Sequence, residues 1–308
     1  MAQERGKERE ELHLKFRPKN FDEYIGNEPL KESLLNGGIE RSRTFLFHGK
    51  RGCGKTTISR LIAKHLNISD MDLHEIDAAD NTGVDNARQI KEAAQFSPLN
   101  GKFKMYIIDE CHRLSGAAAD SLLKTLENPP KHCYFALATT EIQKISATIK
   151  SRSKSYEVKP LNEKEMNFLI RWICHSEGIK ISSEVKKAII DTCEGVPREI
   201  IIAIDTVRDV KNDIDAISLI NSAISSHETK ELIQALLQKR KWSDVAPIVK
   251  ALKDDPEKVR YSILGYVNAI LLNGKADDHC AMIIEQFLES FMYTGKAGLT
   301  YACYMILK

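Results

Sequence analysis

The sequence lacks the features that mark several classes of protein. Its seven cysteines are scattered and contain no Cys-x-x-Cys pair, which argues against a disulfide framework or a zinc site and favours a reducing compartment. No apolar run reaches the roughly 20 residues of a membrane-spanning helix, and the charged start at residues 1–7 is unlike a signal peptide. We therefore expect a cytoplasmic protein without a membrane partner.

An excess of either charge is also missing. The chain has 45 basic and 43 acidic residues, a formal net charge of +2, so it has no overall basic signature of a nucleic-acid-binding protein. Any contact with nucleic acid must come from a local patch or from helix N-termini. The composition, 43% apolar and 29% charged, is that of a globular protein, and 308 residues suffice for two or three domains.

A glycine-rich loop organises the chain. Phe45–Phe47 predicts a strand, Ile58–Leu66 predicts a helix, and a Gly-x4-Gly-Lys-Thr loop that begins at Gly49 joins them. This strand–loop–helix context is the one that a P-loop requires. Its glycines let backbone N–H groups surround phosphate oxygens, and the helix N-terminus adds partial positive charge.

The loop predicts the binding of a nucleoside triphosphate, the alternative being a glycine-rich turn that matches by chance. Lys55 would reach the outer phosphates, and the Thr56 hydroxyl would ligate Mg²⁺. Cys53 could be a reactive thiol, but we interpret it as a small residue tolerated in the loop. The residues expected to bind nucleotide here are Gly49, Gly52, Cys53, Gly54, Lys55, Thr56 and Thr57.

An apolar strand at residues 102–110 ends in two carboxylates, Asp109 and Glu110. In an open parallel sheet the ligand lies beyond the carboxyl ends of the strands. Asp109 would then hold the Mg²⁺ shell, and Glu110 would orient or deprotonate the attacking water. By itself, such a motif is usually a strand followed by a polar turn, and the upstream P-loop favours the functional interpretation.

Strands alternate with helices between residues 44 and 158, which predicts an α/β fold with a parallel, doubly wound sheet. The strand at 132–138 ends in two threonines that either reach the γ-phosphate or bond their own backbone. Residues 12–27 are expected to be extended because of Pro18. After Pro160 the pattern is helical, with three helices at 162–208 and six more at 214–307.

Several blocks resemble, in order, those of a known family: Lys15–Asp22, Glu75–Ala79, Phe103–Ser115, Leu122–Pro130, Ala136–Thr140 and Ser151–Ser153. The family is that of the clamp-loader ATPases of the AAA+ class, and the likeness covers residues 12–210. It is strongest to the bacterial gamma/tau clamp-loader subunit. The small subunits of replication factor C and of phage clamp loaders come next.

The resemblance implies an AAA+ P-loop ATPase core at residues 1–159, a helical lid domain at 160–212 and a helical collar for oligomerisation at 213–308. It also implies residue roles. Arg17 would lie in the segment over the adenine, Thr139 would be the sensor 1 hydroxyl and Arg198 would be sensor 2. Arg152 would be an arginine finger that acts on the neighbouring subunit's site. From position alone, Arg17 and Arg152 could be ordinary surface arginines.

The function that the resemblance implies is that of an ATPase motor subunit of a DNA-replication clamp loader, with ATP and Mg²⁺ as cofactors. Expected partners are a sliding clamp, primer–template DNA held by its backbone, and other loader subunits in a ring, expected to be a pentamer. Residues 81–88 are candidate DNA contacts, although a solvated helix face is favoured there.

Two rival functions are weighed against this one. One is another AAA+ DNA-processing ATPase, for branch migration or recombination, and the Arg17–Pro18 block and the six-helix tail argue against it. The other is a non-catalytic structural subunit of a loader ring, and the intact P-loop and Asp109–Glu110 pair argue against that.

The chain departs from the family in three ways. Residues 66–73 directly cross the gap where bacterial subunits carry a zinc-binding cysteine module, so no zinc is expected. Ser153 replaces the usual cysteine after the arginine, which should matter little. The sequence ends at Lys308, after the collar, which fits a minimal loader of a phage, acting in the host cytoplasm, or of a divergent prokaryote.

Overall fold

Five parallel strands form one sheet in the computed structural model, which describes residues 11–80, 83–224, 227–252, 254–272 and 278–308. The strands are β1 (Thr44–His48), β2 (Leu73–Asp77), β3 (Lys104–Asp109), β4 (Cys133–Thr139) and β5 (Lys154–Glu157). Their order across the sheet is β2-β3-β4-β1-β5, and all neighbours pair in parallel. The predicted parallel, doubly wound sheet is confirmed.

In the described part of the chain, seven α-helices accompany these strands: α1 (Leu12–Lys15), α2 (Glu28–Ser33), α3 (Ile39–Arg41), α4 (Lys55–His65), α5 (Val84–Gln95), α6 (Gly116–Glu127) and α7 (Ala147–Arg152). The expectation of an extended segment at 12–27 is wrong at its start, because α1 is a helical turn. Leu12 and Phe16, one turn apart, are both buried and anchor it. Pro18 restricts only the residue before it.

Helices cover both faces of the sheet because its strands are apolar at successive positions. Phe45, Phe47 and Ile107 pack on one face with residues of α4. Leu46 and Ile108 point to the other face and pack with residues of α5 and α6. The central strands are buried on both sides, as in other parallel sheets, while the edge strands β2 and β5 are partly exposed.

Among the described residues, nine further helices follow the sheet: α8 (Glu163–Glu177), α9 (Ser183–Cys193), α10 (Pro197–Val207), α11 (Asp213–Ile224), α12 (His227–Leu237), α13 (Trp242–Ala251), α14 (Pro256–Leu272), α15 (Asp278–Phe287) and α16 (Gly295–Leu307). Three of them lie within residues 162–208 and six within residues 213–307, which agrees with the predicted positions to within one residue. None of the helices in the described part of the chain is long and apolar enough to cross a membrane.

The chain divides into two compact units, residues 1–169 with 195–198, and residues 170–194 with 199–308. The first unit contains the sheet. In the second, α12 to α16 surround a core that includes Val259, Ile283 and Phe287. The boundaries expected at residues 159 and 212 stay predictions. Residues 81 and 82, among the candidate DNA contacts, lie outside the described part.

Asp72 joins two loops at the amino-terminal edge of the sheet. It is buried, and its carboxylate accepts hydrogen bonds from the backbone N–H groups of Leu99 (2.6 Å) and Asn100 (2.7 Å) and from the Ser69 hydroxyl (2.8 Å). Burial alone would raise the pKa of Asp72, but these donors outweigh it and the pKa is lowered. The ionised carboxylate therefore stabilises the fold.

Replacing Asp72 with asparagine is expected to destabilise the protein by about 1–3 kcal/mol at neutral pH, because charge-assisted hydrogen bonds are lost. Since the folded-state pKa is depressed, the stabilisation is present above the unfolded pKa of about 3.9 and is lost as the pH falls through the folded value. Urea unfolding midpoints of wild type and variant should converge in acid. Asp70→Asn, an exposed position in the same turn, is the control, and an equal effect there would contradict this account.

Candidate nucleotide site

The carboxyl ends of three neighbouring strands, β3, β4 and β1, bring the predicted site together. His48 of β1 pairs with Thr139 of β4, and Asp77 of β2 pairs with Asp109 of β3. The N–H of Gly49 donates to the Thr139 carbonyl at 3.3 Å. Adjacent strands are therefore followed, at their carboxyl ends, by the phosphate loop, the two carboxylates and the threonine. Ligands of such sheets bind at these strand ends.

The loop presents a helix N-terminus and a lysine. Gly54, the residue before α4, makes no side-chain cap, so the first N–H groups of α4 have no intrahelical partner and face an anion site. The Lys55 amine donates to the carbonyls of Gly49 (2.9 Å) and Lys50 (3.0 Å). Burial lowers its pKa, an effect that the Glu110 and Asp109 carboxylates oppose. This arrangement fits a triphosphate.

Tyr24 packs against the loop from the segment before α2. Its hydroxyl donates to the Cys53 carbonyl at 3.2 Å, and burial raises the pKa of the phenol. A Cβ atom at Gly54 would lie 2.9 Å from the Tyr24 hydroxyl oxygen. The sequence motifs did not identify Tyr24, and its only signal was an aromatic residue close after Arg17–Pro18.

Gly54→Ala is expected to weaken nucleotide binding at least tenfold and to lower the melting temperature. Gly54 has φ +103° and no room beside Tyr24, and a left-handed conformation costs an L-residue about 1–2 kcal/mol. The control is Gly116→Ala, where a Cβ would meet nothing within 4 Å. Titration with a fluorescent ATP analogue measures the affinity, and equal affinities for both variants and wild type would contradict this role of Gly54.

Thr56 and Asp109 form the candidate magnesium site. The Thr56 hydroxyl donates to the Asp109 carboxylate at 2.7 Å, and hydroxyl and carboxylate oxygens are ligands that suit Mg²⁺. Within the described ranges, no cluster of three or more His, Cys, Asp or Glu side chains is placed to hold a metal ion. The expectation of no zinc remains a prediction.

Glu110 leaves β3 in a left-handed conformation, with φ 47° and ψ 40°. Its carboxylate accepts a hydrogen bond from the Thr140 hydroxyl at 3.0 Å. The following turn, Cys111–Arg113, carries His112 back to the end of β4, where its Nδ1 atom lies 3.0 Å from the hydroxyl of the fully buried Thr139. Spacing did not identify His112, because neither the backward turn nor its contacts follow from it, and for Thr140 it left open the γ-phosphate or the backbone rather than Glu110.

Arg152 is the last residue of α7. Its Nε atom donates to Glu127 at 2.9 Å and its Nη1 atom to the Thr148 carbonyl at 3.2 Å. Neither partner belongs to the phosphate loop or the carboxylate pair of its own chain. The side chain is 29% exposed, a position compatible with a residue that acts on another subunit, and this role stays a prediction.

Arg198 lies beside the phosphate loop. A Cβ at Gly52 would come within 2.7 Å of Val196 Cγ1 and 3.3 Å of Arg198 Cβ, so the segment at 195–198 packs on the loop. Arg17 is exposed after α1, with its backbone N–H donating to Leu14. Thr57 lies in the first turn of α4. Sensor 2 and adenine roles for the two arginines remain predictions.

The sequence is similar to subunits of bacterial DNA polymerase III. Residues 67–162 match the family model described as DNA polymerase III, delta subunit. The tau subunit of Bacillus subtilis is 32% identical over 290 residues, which are 85% of this chain and 51% of the relative. The tau subunit of Escherichia coli is 34% identical (73% of this chain, 36% of the relative), and a gamma subunit of Buchnera aphidicola is 36% identical (62% and 58%). The chain thus spans between 36% and 58% of the length of these relatives.

The fold is also similar to solved AAA+ structures. The RuvB Holliday junction branch migration motor of Thermotoga maritima superposes with a TM-score of 0.59 at 22% identity, covering 77% of this chain and 86% of that one. A variant of the same protein gives 0.60 at 21% identity, covering 84% and 91%. At this identity the likeness shows the fold alone. Sequence and fold comparisons together therefore show that the chain is similar to the gamma and tau subunits of bacterial DNA polymerase III and has the fold of a P-loop ATPase.

Proposed function

We propose that this protein is an ATPase motor subunit of a sliding-clamp loader, using ATP binding and hydrolysis to open a clamp and place it on primer–template DNA. The observation that carries the proposal is the pairing of Thr56 with Asp109 at 2.7 Å, with Lys55 and Glu110 at the same sheet edge. These are the parts that ATP hydrolysis needs, in a chain similar to the gamma and tau subunits of bacterial DNA polymerase III.

In this proposal, separate residues of the chain bind the nucleotide and activate the attacking water. The N–H groups of the phosphate loop and the Lys55 amine hold the phosphates, and Thr56 and Asp109 hold Mg²⁺, which neutralises charge on the phosphate oxygens. Glu110 orients or deprotonates the attacking water. Thr139 and Arg198 contact the γ-phosphate end, and Arg17 lies over the adenine.

Arg152 completes a neighbour's site in a ring of loader subunits, with a pentamer as the expected assembly. The side chain ends α7 at the surface of its own chain and is held by Glu127. Supplying an arginine in trans makes hydrolysis depend on assembly and can increase the rate by about 10³–10⁵-fold. The partners of the proposal are a sliding clamp, primer–template DNA bound through its phosphates, and other loader subunits, all in the cytoplasm.

The two rival functions are weaker on specific grounds. A branch-migration motor has the same fold, but the sequence relatives are polymerase III subunits. A non-catalytic ring subunit has no need of the Lys55, Asp109 and Glu110 that this chain retains.

ATP turnover tests the proposal. The purified chain is assayed alone, with loader partner subunits, with a sliding clamp, and with clamp and primed DNA together. We expect the highest turnover with clamp and primed DNA, and none from a Lys55→Ala variant in any mixture. Absence of turnover by wild type in every mixture would overturn the motor function and favour a structural subunit. Stimulation by branched DNA but not by clamp with primed DNA would favour the branch-migration alternative.

A further inference from the structure

His112 is a buried polar residue that the proposed chemistry does not use. It lies two residues after Glu110 in the Cys111–Arg113 turn, and its side chain is only 4% exposed. A polar ring in such a position is stable only when its nitrogens find partners. Both ring nitrogens of His112 do so.

The two nitrogens face different groups. The Nδ1 atom lies 3.0 Å from the Thr139 hydroxyl and 3.3 Å from a carboxylate oxygen of Glu110. The Nε2 atom lies 3.1 Å from the Glu141 carboxylate. The Thr139 hydroxyl can donate to an unprotonated Nδ1 or accept from a protonated one, whereas the Glu110 carboxylate only accepts, so Nδ1 joins both groups when it carries the proton and shares it between the two oxygens. The Nδ1 atom therefore contacts the proposed catalytic groups, and the Nε2 atom contacts a half-exposed glutamate.

The other hydrogen bonds of Thr139 and Glu110 do not link the two side chains to each other. The Thr139 hydroxyl also accepts from the backbone N–H of Glu141 at 3.0 Å, and Glu110 also accepts from Thr140 at 3.0 Å. These bonds hold each group to β4 and its loop, but only His112, of the described residues, joins the two groups to each other.

We propose that His112 is a positioning residue for ATP hydrolysis, and that its Nδ1 atom holds the Glu110 carboxylate and the Thr139 hydroxyl at a fixed distance from each other. The inference rests on the proposed function, because Glu110 and Thr139 carry their roles there. A displacement of about 1 Å in a reacting group can cost 10²-fold in rate, so a fixed distance between the base and the phosphate sensor matters for turnover.

Two substitutions of His112 distinguish a positioning role from a role in packing alone. In His112→Asn the side-chain amide occupies the place of Nδ1 and keeps the contact with Thr139 and Glu110. In His112→Gln the amide occupies the place of Nε2 and keeps the contact with Glu141 instead. Both variants retain a polar amide in the same buried site, so each serves as the other's control.

We expect kcat for ATP to fall about 10- to 100-fold in His112→Gln and to stay within about threefold of wild type in His112→Asn. KM and the melting temperature should change little in His112→Asn. Equal kcat losses in the two variants, or no loss in either, would overturn the proposal, because a residue that only fills space makes no distinction between the two nitrogens.

A binding measurement keeps this inference separate from the proposed function. If wild type shows no turnover with any partner, the motor function fails. The positioning role of His112 is then tested by the ratio of the affinity for ATPγS to the affinity for ADP. The ratio should fall in His112→Gln and match wild type in His112→Asn, because Thr139 faces the γ-phosphate only when Nδ1 holds it. One ratio for all three proteins would refute the positioning role.

Discussion

Replacing Glu110 with glutamine is expected to lower kcat for ATP by about 10²–10⁴-fold, the range for loss of a general base. Glutamine has the same shape and still accepts the hydrogen bond from Thr140, so the fold should be unchanged. Lys55, Thr56 and Asp109 remain in place to hold the nucleotide. Affinity for ATP should therefore stay near that of wild type while turnover is lost.

The measurement is steady-state phosphate release together with titration of a fluorescent ATP analogue. Glu92→Gln, an exposed position on α5, is the matched control and should behave as wild type. Retention of turnover by Glu110→Gln would show that another group activates the water, and loss of nucleotide binding would show that Glu110 belongs to the binding site.

Arg152→Ala is expected to lower kcat by about 10³-fold or more in the assembled protein, the effect of losing an arginine finger. Its cost in stability should be small, because the pair with Glu127 is partly exposed and such pairs contribute about 0–1 kcal/mol. Nucleotide affinity should also be preserved, since Arg152 hydrogen-bonds to Glu127 and Thr148 and to no group of its own phosphate site.

Phosphate release and thermal unfolding of Arg152→Ala are compared with those of Lys131→Ala, which removes an exposed charge near the end of α6. A large fall in melting temperature for Arg152→Ala would mean that the residue is structural. Unchanged turnover in the assembly would reject the finger assignment.

Sequence patterns predicted the sheet and the helices well, for physical reasons that are local. β3 and β4 are continuous apolar runs, as expected for strands buried on both faces. The helix from Val84 ends where Ser97 and Pro98 interrupt it, and Pro129–Pro130 follows the end of α6. α1 was missed because four residues are too few to show a helical period.

The candidate site was predicted in part. Lys55, Thr56 and Asp109 follow from motif spacing, since a strand end and a helix start fix their positions along the chain. Contacts that depend on side-chain direction do not follow in this way. The left-handed Glu110 turns the chain so that His112 faces β4, and Tyr24 reaches the phosphate loop from a segment 29 residues earlier than Cys53.

We propose above all that each ATP site is completed by a neighbouring chain. The direct test mixes Arg152→Ala subunits, which keep Lys55 and Glu110, with Glu110→Gln subunits, which keep Arg152, and measures ATP turnover. We predict that each variant alone is nearly inactive and that activity reappears in the mixture at interfaces that combine an intact Glu110 with an intact Arg152. A mixture no more active than its better component would contradict the claim.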